Sequence, residues 1–172
     1  MTEKHMKEKI KQALINANTQ INEEIKPFID HYNGPFSNVL RNNYHISSEK
    51  GLPLCQDTGM VEFFCFLGIN FPLNDPLQDI LDEVVSQVYI HSPYRYSTVD
   101  DPLFERKNRM DNTPAIVHVQ PVMGSKLEIR FLIKGGGSEN LSRLYMMAPS
   151  ASKEEVVEQV VNHIDEAGAR AC

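Results

Sequence analysis

The chain has 172 residues, a net charge of -6, 41% hydrophobic and 23% charged content, and no low-complexity run. That composition describes an ordinary globular domain, alone or as part of a larger enzyme, and excludes disordered and fibrous classes. It holds no basic block to neutralise phosphates and no membrane-length apolar run, so neither nucleic acid nor a membrane is an expected partner. The charged N-terminus lacks the layout of a signal peptide, so a cytoplasmic location is expected.

In chain order, residues 2–50 read as helical, with Ile10, Leu14, Ile21 and Ile25 spaced for one face. Gly34-Pro35 breaks the run before a further helix over 36–44. His5, His31 and His45 have no partners at metal-ligand spacing and read as surface histidines.

Residues 52–59, Leu-Pro-Leu-Cys-Gln-Asp-Thr-Gly, follow. Here a thiol, an amide, a carboxylate and a hydroxyl stand between Pro53, which stiffens the approach, and Gly59, which frees the exit. Such a loop between rigid elements is a usual place for a site. The alternative is a surface turn with a stray cysteine.

Residues 60–67 have strand composition, with Val61, Phe63, Cys65 and Leu67 on one face and Cys65 as a small buried hydrophobe. Asp75 offers an N-cap to a helix whose stripe Leu77, Ile80, Leu81, Val84, Val85 and Val88 is core. The aperiodic segment 94–111 carries Arg95, Arg106 and Arg109. A planar guanidinium suits a carboxylate or phosphate, so this long connection is a candidate reader of such anions.

Two strands are expected over 115–119 and 126–134, joined by Met123-Gly124-Ser125 as an antiparallel hairpin. The second runs into Lys-Gly-Gly-Gly-Ser-Glu-Asn at 134–140. Three glycines can take positive φ and turn several N–H groups toward an anion or cofactor, although a flexible hairpin tip is the alternative. The last helix has a capping box at Ser152 and Glu155. Val156, Val157, Val160, Val161 and Ile164 are its expected buried face, and it stops at Gly168. A chain ending on Cys172 directly after a helix reads as cut. The fold class expected from these elements is α+β, a single domain over 1–172 with a small mixed or antiparallel sheet flanked by helices and a helical N-terminal region.

Cys-Gln-Asp-Thr-Gly at 55–59, the glycine loop at 134–140 and Ala-Gly-Ala-Arg-Ala-Cys at 167–172 occur in the order found in the iron-sulfur (class I) fumarate hydratase and tartrate dehydratase family. Over essentially its whole length the chain resembles the N-terminal domain or alpha subunit of that family. The resemblance implies a hydro-lyase that hydrates or dehydrates a dicarboxylate, with a 4Fe-4S cluster held by three cysteines. It makes Cys55 and Cys172 the first two ligands and puts the third beyond this chain. It also implies that Gln56 and Asp57 contact the dicarboxylate, that Arg95 binds a substrate carboxylate and that Gly137 lines the site. Asp57 is the candidate to orient the substrate hydroxyl or shuttle a proton.

The catalytic base is expected from a C-terminal domain or beta subunit, within a homodimer or an alpha/beta hetero-oligomer. The isolated chain is therefore expected to be inactive. Two other readings stand beside this one. A non-catalytic fragment or subunit module would carry the fold without a complete cluster site, and a thiol redox protein using Cys55 is disfavoured because no resolving cysteine lies near it in sequence.

Overall fold

The computed structural model describes residues 3–168. Its elements are α1 (Glu3–Thr19), α2 (Lys26–His31), α3 (Ser37–Lys50), β1 (Met60–Gly68), α4 (Leu77–His91), β2 (Ile116–Val122), β3 (Leu127–Lys134), α5 (Gly136–Glu139) and α6 (Lys153–Ala167). The fold is α+β, with a three-stranded mixed sheet and flanking helices. The chain divides into two compact units, residues 1–134 and 135–172.

In the first unit the apolar positions of α1 recur every fourth residue, so Met6, Ile10 and Leu14 share a face, and all three are buried. The helix stops at Thr19, where the side chains of Asn18 and Thr19 donate back to Leu14 O and Ile15 O. Asn22 then turns the chain by accepting from the Glu24 amide. The apolar face therefore does not continue: Ile25 lies beyond the helix and is exposed. The helix after Gly34-Pro35 runs to Lys50, longer than the expected 36–44, and closes on Gly51 at φ 64°.

The stripe of α4 is core as expected, from Leu77 to Val88, with Tyr89 extending it. Together with α1 it covers the sheet face formed by Val61, Phe63 and Cys65 of β1 and by Val117, Ile129, Phe131 and Ile133 of the neighbouring strands. Each fully buried large side chain here contributes roughly 1.5–3 kcal/mol of transfer free energy. Asp75 is not the cap of α4. Pro76 occupies that position with φ -53° and ψ 134°, and no side chain caps the helix. Proline's fixed φ suits the entry to a helix but supplies no acceptor for the first-turn amides.

The sheet order is β2-β1-β3, with β1 parallel to β2 and antiparallel to β3. The expected β2/β3 hairpin is thus replaced by a connection that straddles the end of β1. Gly68 N donates to Lys126 O, Ile69 N to Val122 O and Asn70 N to Gly124 O, at 2.8, 3.0 and 3.0 Å. Two strand spacings are only about 10 Å, which a connection of this length spans easily. A Cβ at Gly68 would stand 2.6 Å from Gly124 O, so this close crossing requires glycine. The β1-α4-β2 segment is the crossover that parallel pairing demands.

In the second unit, Gly136 and Gly137 open the short helix α5. The glycines with positive φ among the described residues are Gly51, Gly59, Gly124 and Gly168, so the triplet does not use the left-handed region open to it. Helix α6 has the capping box: Glu155 N donates to Ser152 Oγ and Ser152 N to Glu155 Oε2. Its apolar stripe is not buried. Val156, Val157, Val160, Val161 and Ile164 are all exposed: the periodicity gathers them on one side of the helix, and no described residue of its own unit covers that side.

Candidate active site

The loop at 52–59 is held at its entrance by residues of α1 and α3. Leu54 N donates to Asn18 O at 2.7 Å, Asn43 Nδ2 donates to Leu54 O at 2.8 Å, and the Ser47 hydroxyl donates to Leu52 O at 2.6 Å. Beyond this clamp Cys55 and Gln56 are exposed, Asp57 is half-buried, and Thr58 and Gly59 are buried. Gly59 has φ 53°, and its amide donates to Asp57 Oδ1 at 3.1 Å. That short turn fixes the carboxylate's direction while leaving the thiol and amide at the surface.

The exit of the loop is tied to the segment carrying Arg95. Thr58 Oγ1 donates to Arg95 O and accepts from Arg95 N, both at 3.0 Å. Tyr89 donates from its hydroxyl to Thr58 O at 2.7 Å. Burial pushes the Tyr89 phenol well above its ordinary range, and Tyr94 and Asp57 add to that shift, so Tyr89 stays protonated as a donor. Asn112, in the left-handed region at φ 61°, donates to Gly59 O at 2.8 Å and accepts from Ser97 N at 2.7 Å. Asparagine tolerates that backbone where most residues do not.

Cys55, Gln56, Asp57 and Arg95 are therefore displayed from two joined loops. Thr58 stands three peptide steps from Cys55, a reach of at most about 11 Å. The Arg95 side chain is exposed and makes no ion pair among the described residues, whereas Arg109 binds Asp100 at 2.6 Å. Gly137 belongs to the second unit. Cys172 lies outside the described residues.

The two described cysteines differ in chemistry. Cys55 is exposed and Cys65 is buried inside β1, where burial pushes its thiol up to about 11. A metal ligand must be reachable and shed its proton; burial opposes both at Cys65, whereas Cys55 is open to solvent. Among the described residues no group of three or more His, Cys, Asp or Glu side chains could hold a metal ion. The described donor set thus fits one thiolate ligand. A concavity of about 490 Å3 in the second unit, lined by Met147, Ser150, Glu155 and Gln159 among others, contains none of the motif residues.

Sequence reasoning missed Thr58, Tyr89 and Asn112 as parts of the site's frame. Tyr89 ends the α4 stripe with a polar tip, which is a detectable signal for a buried donor. Asn112 carries no comparable signal, because its partners lie 15 and 53 residues away.

Fold and loops together define an α+β domain that presents a thiol, a carboxylate and a guanidinium from a rigid frame. The chain belongs to the family described as fumarate hydratase (Fumerase), whose sequence profile matches residues 3–172. It is 34% identical over 122 residues to the L(+)-tartrate dehydratase subunit alpha of Escherichia coli O157:H7, covering 70% of this chain and 40% of that one. The subunit of the same name from Escherichia coli strain K12 is 32% identical over the same length and shares. A Methanocaldococcus jannaschii protein provisionally named as this subunit is 29% identical over 175 residues, covering 98% of this chain and 58% of its own length. The chain thus spans about half the length of the curated relatives it matches.

Proposed function

We propose that this chain is the alpha-subunit or N-terminal part of a cytoplasmic iron-sulfur hydro-lyase. The enzyme adds or removes water across a small dicarboxylate, converting fumarate to malate or tartrate to oxaloacetate. The observation that carries the reading is the exposed Cys55 thiol on a loop bonded through Thr58 to the segment of Arg95, in a chain of this family.

Cys55 and, by resemblance, Cys172 would hold a 4Fe-4S cluster, with a third cysteine from outside this chain. When bound, such a cluster supplies an iron with an open coordination position that acts as a Lewis acid. Arg95 binds one substrate carboxylate through two parallel N–H···O bonds, which sets the substrate's orientation as well as its affinity. Gln56 and Asp57 contact the dicarboxylate beside the cluster. Asp57, with one oxygen anchored by the Gly59 amide, orients the substrate hydroxyl or moves its proton. Gly137 lines the site by resemblance. A C-terminal domain or beta subunit supplies the base and further substrate contacts, within a homodimer or an alpha/beta assembly. The isolated 172-residue chain is accordingly inactive.

Anaerobic cluster reconstitution of the complete protein, followed by assays with malate, fumarate and tartrate, tests the reading. Iron uptake with dicarboxylate turnover supports it. A complete protein that binds no iron would instead be a non-catalytic module.

A further inference from the structure

The segment 95–97 lies outside the sheet, yet four of its backbone polar groups are partnered by side chains. Arg95 N and O meet Thr58 Oγ1, Tyr96 O meets Asn108 Nδ2, and Ser97 N meets Asn112 Oδ1. Asn112 reaches at the same time to Gly59 O, the residue after Thr58. Thr58 and Asn112 thus make two links between the same pair of strands of chain, one joining 58 to 95 and one joining 59 to 97. A single link would leave a pivot, whereas two links two residues apart fix both position and direction. Thr58 is 2% and Asn112 1% exposed, so water does not compete for either.

We propose that Thr58 and Asn112 are positioning residues that hold Arg95 in register with the loop carrying Cys55 and Asp57. Their purpose rests on the dicarboxylate reading, but their existence as a latch rests on the hydrogen bonds alone. An arginine that grips the substrate carboxylate equally in the ground and transition states affects KM rather than kcat when displaced. The latch therefore acts on substrate affinity.

The test uses the complete enzyme with Thr58→Val, which keeps the shape and removes the hydroxyl, and Thr58→Ser, which keeps the hydroxyl. Asn112→Asp keeps the acceptor for Ser97 and a residue tolerant of left-handed backbone, and removes the donor to Gly59. Two readouts are taken: amide hydrogen exchange at Arg95 and Ser97, and KM against kcat for the dicarboxylate.

In Thr58→Val the Arg95 amide should exchange at least about tenfold faster while β1 amides are unchanged. KM should rise about tenfold with kcat within about twofold. Thr58→Ser should restore both readouts, and Asn112→Asp should raise KM in the same way even if Thr58→Val fails to fold. Faster exchange with an unchanged KM, unchanged exchange at Arg95, or no rescue by serine would each overturn the proposal. A wild-type enzyme that turns over no dicarboxylate would refute the dehydratase reading, and the exchange pattern of Arg95 would still decide the latch.

Discussion

Arg109 Nη1 lies 2.6 Å from Asp100 Oδ1, and its Nε donates to Thr113 Oγ1 at 3.2 Å, so this arginine fastens the long connection to itself. Arg95, in the same connection, is tied down through its backbone, and its side chain makes no ion pair among the described residues. The proposed carboxylate clamp is therefore tested by contrasting the two cations. Arg95→Lys in the complete enzyme replaces a bidentate fork with a point charge, at an expected cost of roughly 2–4 kcal/mol in transition-state stabilisation. That is about a thirtyfold to thousandfold loss in kcat/KM. Arg109→Lys should leave kcat/KM within about threefold, since the affected pair is partly exposed and structural. Steady-state kinetics at full cluster occupancy compare the two, and a collapse in Arg109→Lys with a near-normal Arg95→Lys would move the carboxylate clamp later in the loop.

On the sheet face opposite the core, Glu62 of β1 meets His118 of β2 at 2.8 Å and Lys134 of β3 at 3.5 Å. The His118 hydrogen bond, helped by the Lys134 charge, holds the Glu62 carboxyl below its ordinary value of 4.5. A carboxyl whose native value is lowered binds fewer protons folded than unfolded. Its contribution is complete above about pH 4.5 and is lost as the pH falls through the lowered native value. Glu62→Gln should lower stability at neutral pH and flatten the acid limb below about pH 4.5. Denaturant midpoints across that range provide the check, and parallel acid limbs in both proteins would count against the coupling.

Burial separates the stripes of α4 and α6, although their sequence patterns are alike. Leu81 is 0% exposed, and Leu81→Ala should cost about 2–5 kcal/mol through lost transfer energy and a cavity. Val160 is 53% exposed, and Val160→Ala should cost within about 0.5 kcal/mol. Urea unfolding of the 172-residue chain measures both. Equal losses would mean that the α6 face is covered in solution.

What the sequence discloses here is local. The apolar spacing of α4, the strand around Phe63, the capping box at Ser152 and the loop chemistry from Cys55 to Gly59 are all visible because each depends on residues within one or two turns. What it conceals is who covers whom. A short glycine-bearing connection reads as a hairpin, and only the three-dimensional structure shows β1 lying between the strands it joins. A period-3.6 stripe reveals which side of α6 is apolar and not whether anything packs against it. Three glycines allow positive φ without requiring it, and Gly136 and Gly137 enter a helix instead.

The site divides along the same line. Cys55, Gln56 and Asp57 stand out because their functional groups crowd one loop. Thr58 and Asn112 act over 37 and 53 residues of chain, and no local pattern encodes a hydrogen bond at that range.

The assignment of Cys55, rather than Cys65, as the cluster thiolate is the most direct point of attack on the account. In the complete enzyme, reconstituted anaerobically, Cys55→Ala and Cys65→Ala are compared by iron content, by cluster absorption and by dicarboxylate turnover. The exposed loop position of Cys55 and the buried, strand-bound position of Cys65 predict that Cys55→Ala loses the cluster and activity together, while Cys65→Ala keeps both. A Cys65→Ala protein that loses its iron, beside a Cys55→Ala protein that retains it, would contradict the account.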